Sequence, residues 1–109
     1  MLPDKEEIFF PIPLDLVTFF IDTLKEPVVK TYIYLGQRYN YKPKEYVFTE
    51  KEIAEHIGMD YNNNSKRIAH YLLVLKELKL IDFVCYYEGS IPKKKLTAFS
   101  KQLPQITNG

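Results

Sequence analysis

The sequence predicts an α+β fold that is mostly helical, with a three-helix core, a β-hairpin after it, and an extended segment and extra helix before it. Thr49 and Glu52 stand three positions apart, which is the pattern of a capping box at a helix start, and Gly58 is placed to end that helix. A longer second helix buries a stripe of apolar residues, namely Ile68, Leu72, Leu75 and Leu78. Residues 81–87 are β-branched and aromatic and are followed by a second short run at 95–99, which predicts the hairpin.

Residues 1–26 are expected to form an apolar N-terminal extension. Residues 8–13 contain two prolines, so they should be extended and lie across a surface. The next apolar residues have helical spacing, with Pro13 or Asp15 near the helix start. They are Leu16, Phe19, Phe20 and Leu24. The extension either packs on its own domain or contacts a second copy, and residues 8–24 are the predicted homodimer contact.

The core domain is expected at residues 27–99, and the tail at 100–109 has no apolar period and should fray. Pro27 is tolerated in a first helical turn and starts the first core helix. The broad apolar face of that helix consists of Val28, Val29, Tyr32, Ile33, Leu35, Gly36 and Tyr39. Residues 40–44 form a polar loop, and 46–48 form a short β-prone run that leads into the capping box.

Length and composition predict one domain, because 109 residues bury a single core. Prolines and aspartates interrupt the apolar stretches, so no membrane span is expected, and the start lacks the basic leader of a signal peptide. Cys85 is the lone cysteine, which fits the cytoplasm. The first 26 residues carry two basic and six acidic side chains, whereas the remainder carries 13 basic and eight acidic ones. This asymmetry suits a body whose basic part faces nucleic acid, although ordinary solvated faces would have the same composition.

The two helices around Gly58 carry a family resemblance. A small Ala54 in the first helix, the glycine after it and a second helix that ends in L-x-x-L resemble the helix-turn-helix of winged-helix DNA-binding proteins. The resemblance covers residues 27–99 and implies that the second helix enters the major groove of double-stranded DNA. The connection between the helices, residues 59–64, is about four residues longer than the tightest form of the motif.

The polar residues near the start of the second helix are the expected DNA-binding set. They are Asn62, Asn63, Asn64, Ser65, Lys66, Arg67 and His70, with residues 64–67 as the exposed first turn. Arginine can pair with guanine, asparagine with adenine and serine with phosphate, and a helix N-terminus favours an anion. The same residues would also serve as a solvated face that caps and solubilises the helix. Glu50, Glu52 and Glu55 on the preceding helix oppose a close approach of phosphate.

The predicted hairpin, the wing of the family, adds a second basic group. Ser90 lies in the expected turn 88–92, and Lys93, Lys94 and Lys95 follow at or beside the tip. Alternation sends Lys93 and Lys95 to one face and Lys94 to the other. Beside a helix in the groove these lysines would anchor the protein to phosphates without reading sequence. In the alternative interpretation they only keep the sheet edge from pairing with other sheets.

No catalytic residue, cofactor or metal site is predicted, because the chain lacks a phosphate-binding loop, a zinc-protease motif and a cysteine pair. His56 and His70 fall on different predicted helices. Cys85 alternates with Phe83 and Tyr87 on a strand, so it is expected to be a small core or half-buried residue rather than a nucleophile. The tyrosines lie on helix faces, which favours core and interface roles over a base-stacking platform.

Four further segments have a characteristic pattern: I-P-L-D-L, VVKTYIYLGQRY, FTEKEIAEHIG and LKELKLI. They resemble the N-terminal domains of plasmid and phage replication initiators of low-GC Gram-positive bacteria. The resemblance implies a dimer that binds repeated origin sites, either as part of a longer initiator or as a small autonomous regulator. A transcriptional repressor of a mobile element uses the same geometry. The alternative is a winged helix that binds only protein, through its tyrosine-rich faces and apolar front segment. No residue pattern identifies a small-molecule effector.

Overall fold

The computed structural model describes residues 12–41 and 46–104, which form four helices and one three-stranded antiparallel sheet. The helices are α1 (Leu14–Thr23), α2 (Glu26–Tyr41), α3 (Glu50–Ile57) and α4 (Tyr61–Glu77). The strands are β1 (Val47–Phe48), β2 (Ile81–Glu88) and β3 (Ile91–Phe99). This mostly helical α+β order confirms the predicted fold class and is compatible with the expected winged helix. Over the described ranges, no helix combines the length and apolarity needed to cross a membrane.

Helix α3 begins and ends where the sequence predicts. Thr49 Oγ1 accepts a hydrogen bond from the Glu52 backbone N–H at 3.2 Å, and Glu52 Oε1 accepts one from the Thr49 N–H at 3.3 Å. Gly58 ends the helix with a φ of 82°, and the Met59 N–H bonds back to the Ala54 carbonyl at 2.8 Å. Hydrogen bonds between near neighbours in the sequence therefore close the helix at both ends.

The connection between α3 and α4 is shorter than expected. It consists of residues 58–60, and the expectation of a long connection at 59–64 is wrong. The reason is Asp60, whose carboxylate accepts a hydrogen bond from the Asn62 N–H at 3.3 Å and so caps α4 early. Asn64 has non-helical angles, φ −129° and ψ 16°, which place a kink after the first turn. Of residues 64–67, which were expected to form the first turn, 65–67 therefore lie in the second turn of α4, just beyond that kink.

One hydrophobic core joins the helices and the sheet. The ring of Phe20 on α1 meets that of Tyr32 on α2 edge-on at 4.9 Å, so the N-terminal helix packs on its own domain. Tyr32 in turn stacks on Phe99 of β3 at 4.6 Å. The fully buried aliphatic side chains are Leu16, Leu35, Ile53, Ile68, Leu72, Leu75, Leu80 and Leu96. Each contributes about 1.5–3 kcal/mol when it leaves water, so the predicted stripe of the second helix is a main source of stability.

Strand β3 is central in the sheet, between β1 and β2. The β2–β3 pairing closes at Glu88 opposite Ile91, so the hairpin loop is only Gly89 and Ser90. The predicted turn at 88–92 was too long. Gly89 has a φ of 66°, a value that two-residue hairpin loops require and that glycine adopts without strain.

A bulge in β3 adjusts which side chains reach the core. The register shifts after Asp82, leaving Thr97 without a partner across the strand. Leu96 and Phe99, three positions apart, can therefore both contribute to the core. Farther along the hairpin, Cys85 is exposed, and the expectation of a half-buried cysteine is wrong. Its cross-strand partner is Lys94 rather than an apolar residue, because the hairpin extends beyond the core there.

Several predictions fall at or beyond the limits of the described residues. Residues 8–11 of the expected extended segment lie outside them, as do 42–44 of the expected loop and 105–109 of the tail. Residues 40 and 41, which were also expected in the loop, instead belong to the end of α2. Ser100, which was expected in the tail, donates its N–H to the Leu80 carbonyl at 2.8 Å. Its own carbonyl accepts a hydrogen bond from the Tyr32 hydroxyl at 2.7 Å, so this residue is anchored to the core.

The Glu52 carboxylate does more than complete the capping box. Its Oε2 accepts hydrogen bonds from the Tyr34 hydroxyl at 2.9 Å and from the Tyr46 hydroxyl at 2.5 Å. Tyr34 lies on α2, and Tyr46 immediately precedes β1. Burial, followed by the hydrogen bond to Glu52, raises the pKa of Tyr46, and burial raises the pKa of Tyr34. Both phenols therefore stay protonated and able to donate.

We expect Glu52→Gln to lower the free energy of unfolding by about 1–3 kcal/mol, because the charged acceptor of three hydrogen bonds is replaced by a neutral amide. Glu55→Gln is the matched control on the exposed side of the same helix and should change stability by no more than about 0.5 kcal/mol. Urea unfolding measures both values. Equal effects of the two substitutions would contradict the role assigned to Glu52.

Candidate nucleic-acid interface

The first turn of α4 orders two of the three predicted asparagines around Asp60. The side-chain amide of Asn63 donates to Asp60 Oδ2 at 2.6 Å, and that of Asn64 donates to the Asp60 carbonyl at 2.8 Å. Asn62 uses only its backbone N–H in this cap. Within the described residues its side chain has no hydrogen-bond partner, and it is exposed. Asn62 is therefore the asparagine best placed to pair with a group from outside the protein.

Beyond the kink, the polar residues of α4 divide between an outer face and a flank. Lys66 and His70 are exposed, and together with Asn62 they recur every four residues, so they form one row on the outer face. Ser65 is half-buried. Arg67 is exposed but lies on the flank, where it lines a cleft beside the α1–α2 junction, and His70 borders the same cleft. The row of Asn62, Lys66 and His70 is therefore the part of the predicted set that faces outward together.

Glu50 connects the start of α4 with the hairpin. Its Oε2 pairs with the Lys94 ammonium at 3.1 Å, and its Oε1 accepts a hydrogen bond from the Tyr61 hydroxyl at 3.4 Å. Both charged side chains of the pair are largely buried, at 16% exposed for Glu50 and 19% for Lys94. Burying an unpaired charge is costly, so this pair constrains where β3 lies relative to the first turn of α4.

The three adjacent lysines of the hairpin have different environments. Lys94 lies on the inner face of the hairpin, where it forms an ion pair with Glu50. Lys93 forms an ion pair with Glu88, and the hydrogen bond in that pair raises the pKa of Lys93. Lys95 is exposed and, as far as the chain is described, has no carboxylate partner. The three lysines lie inside β3 rather than at the tip, and Ser90 is exposed in the loop together with Gly89.

The acidic residues of α3 are less of an obstacle to DNA than the sequence suggests. Glu50 pairs with Lys94, and Glu52 binds two tyrosines. Glu55 is the exposed one of the three glutamates. The negative charge of two of these carboxylates is therefore directed into the protein.

The two histidines do not come together. His56 packs its ring against Tyr34 at 4.3 Å, and burial and the nearby Arg38 lower the pKa of His56. His70 lies on the outer face of α4. Among the described residues, no group of three or more histidine, cysteine, aspartate or glutamate side chains is arranged to hold a metal ion.

Asp60 and Tyr61 also shape this surface but were not predicted, and Glu50 was expected only to oppose phosphate. Aspartate is a preferred N-cap, so Asp60 was a readable signal for the start of α4. The contacts of Glu50 with Lys94 and Tyr61 join separate elements, and no local pattern indicates them.

Comparisons of the chain with protein families, with curated proteins and with solved structures found no match. A function for the chain is therefore inferred from the geometry of α4 and the hairpin.

Proposed function

We propose that the chain binds double-stranded DNA sequence-specifically as a winged helix, with α4 as the recognition helix and the β2–β3 hairpin as the wing. The observation that carries the proposal is the double contact of Glu50 with Tyr61 and Lys94. Through it, the start of α4 and the hairpin both contact the first turn of α3. A helix in the major groove with a hairpin beside it would then contact bases with one element and the phosphate backbone with the other.

The side chains divide into base-reading and phosphate-binding roles. The free amide of Asn62 can pair with an adenine edge in the major groove. His70 continues the same row, while Lys66 in that row, Arg67 on the flank and Lys95 on the hairpin are placed for phosphates. In this proposal Lys93 and Lys94 support the hairpin, because their charges are already paired with Glu88 and Glu50.

The cellular role we propose is binding at a replication origin or at an operator of a mobile element, in the cytoplasm. Both roles need the same recognition surface, so the described geometry supports them equally.

We expect Lys66→Ala and Lys95→Ala each to weaken binding to every duplex, because each removes a cation that a phosphate can pair with. The slope of log K against log salt should become shallower by about 0.9 for each phosphate that the protein no longer neutralises. Fluorescence anisotropy of a short labelled duplex of random sequence, between about 50 and about 200 mM salt, measures both quantities.

Lys30→Ala is the matched control, because it removes the same charge from α2, where Lys30 pairs with Glu26 at 3.3 Å. It should leave the slope unchanged. Identical slopes for the wild type and all three variants would rule out this surface as the DNA contact.

We also propose that the protein is a homodimer through its N-terminal segment, residues 8–24. The inner residues of α1 are committed to the core, but Leu14 is 80% exposed and Ile21 is 76% exposed. These two residues stand two turns apart on the outer face of α1. The sequence before the helix adds further apolar residues at 8–10. A two-fold contact would cover such a stripe on both copies.

Ile21→Glu should convert the dimer to a monomer in sedimentation, because it places a charge in the apolar contact. Thr23→Glu, at an exposed position of the same helix, is the control and should stay dimeric. A dimer that persists with Ile21→Glu would show that the interface lies elsewhere.

A second candidate function is a protein-binding winged helix. The observation in its favour is that the outer face of the hairpin exposes Val84 and Tyr86, and Ile91 lies beside its loop. The anisotropy experiment separates the two candidates, because a module of this second kind would show no salt-dependent binding to a duplex.

A further inference from the structure

A cleft of about 640 Å³ lies between α4 and the junction of α1 and α2. Its apolar walls are formed by Leu24, Val28 and Val74. This volume is typical of sites that bind small molecules, which are mostly apolar and contain a few polar groups.

The charged side chains that line the cleft all have the same sign. Lys25 and Arg67 are cations, the imidazole of His70 lies beside them, and no carboxylate is among the described residues that line the cleft. The cleft also adjoins the first turn of α2, where the helix dipole is positive. The cleft therefore favours an anion next to an apolar body.

Tyr71 adds a hydrogen-bond donor to the lining of the cleft. Its side chain lines the cleft and is only 9% exposed. Throughout the described part of the chain, nothing forms a hydrogen bond with its hydroxyl. A ligand oxygen in the cleft could accept a hydrogen bond from this hydroxyl.

We propose that this cleft binds a small amphipathic carboxylate. The apolar body would pack against Leu24, Val28 and Val74, and the carboxylate would accept hydrogen bonds from the Arg67 guanidinium and the Tyr71 hydroxyl. Because Arg67 belongs to α4, the bound anion would occupy a cation that otherwise faces a phosphate and would repel the DNA backbone. This effect on DNA rests on the proposed function, whereas the binding of the carboxylate does not.

Naphthaleneacetate and its neutral amide, naphthaleneacetamide, are a matched pair of probes, because they share an apolar body and differ in charge. In a titration followed by amide NMR signals, the carboxylate should saturate and shift Val28, Arg67 and Tyr71. The amide should bind about tenfold more weakly or worse. Equal affinities, or shifts that lie away from the cleft, would overturn the proposal.

Substitutions of single residues then identify the side chains that bind the carboxylate. Arg67→Gln should weaken carboxylate binding by about tenfold and leave amide binding unchanged, whereas Lys66→Gln, which removes the neighbouring cation outside the cleft, should affect neither. Tyr71→Phe should weaken carboxylate binding without lowering stability, because the hydroxyl that it removes has no partner. An Arg67→Gln effect no larger than that of Lys66→Gln would overturn the assignment.

The effect on DNA is tested by adding each probe to the protein bound to a labelled duplex. The carboxylate should release DNA and the amide should not. Carboxylate binding that leaves DNA affinity unchanged would overturn the regulatory half of the proposal. A protein that binds the carboxylate in the cleft but binds no duplex would overturn the proposed function and support the site.

Discussion

Two carboxylates in the first turn of α3 determine how the other elements meet. Glu52 accepts hydrogen bonds from the hydroxyls of Tyr34 and Tyr46 as well as from its own helix cap, and Glu50 binds Lys94 and Tyr61. These contacts hold four parts of the chain at one helix turn, namely helix α2, the residue before β1, strand β3 and the start of α4. Buried charges persist only where partners surround them, so these contacts specify one arrangement. The same contacts direct negative charge away from the surface that we assign to DNA.

Local chemistry made much of this fold predictable. The capping box at Thr49, the left-handed Gly58 and the stripe of Ile68, Leu72 and Leu75 each depend on residues that are near neighbours in the sequence. The hairpin was predicted from its β-branched and aromatic run, and its loop was misjudged because Ile91 and Pro92 join the strand. The exposure of Lys66 and His70 followed directly from their position opposite the stripe.

The features that were not predicted from the sequence depend on contacts between residues that lie far apart in the chain. Three adjacent lysines look equivalent along the chain, yet Lys94 pairs with Glu50, Lys93 pairs with Glu88, and Lys95 stays exposed. Which of them is available depends on the register of β3 with both neighbouring strands, and a bulge alters that register. Likewise, the cleft beside Arg67 exists only because α1 packs against the core next to α4, so no segment of sequence encodes it alone.

In the proposed mode of binding, Asn62 on the outer face of α4 reads a DNA base, while the hairpin only anchors to phosphates. Selection of bound sequences from a pool of random duplexes, performed in parallel with the wild type, Asn62→Ala and Lys95→Ala, tests it most directly. The wild type should enrich a short consensus, Asn62→Ala should lose the preference for adenine at one position, and Lys95→Ala should keep the consensus unchanged. A wild-type selection with no enrichment over the starting pool would contradict the account.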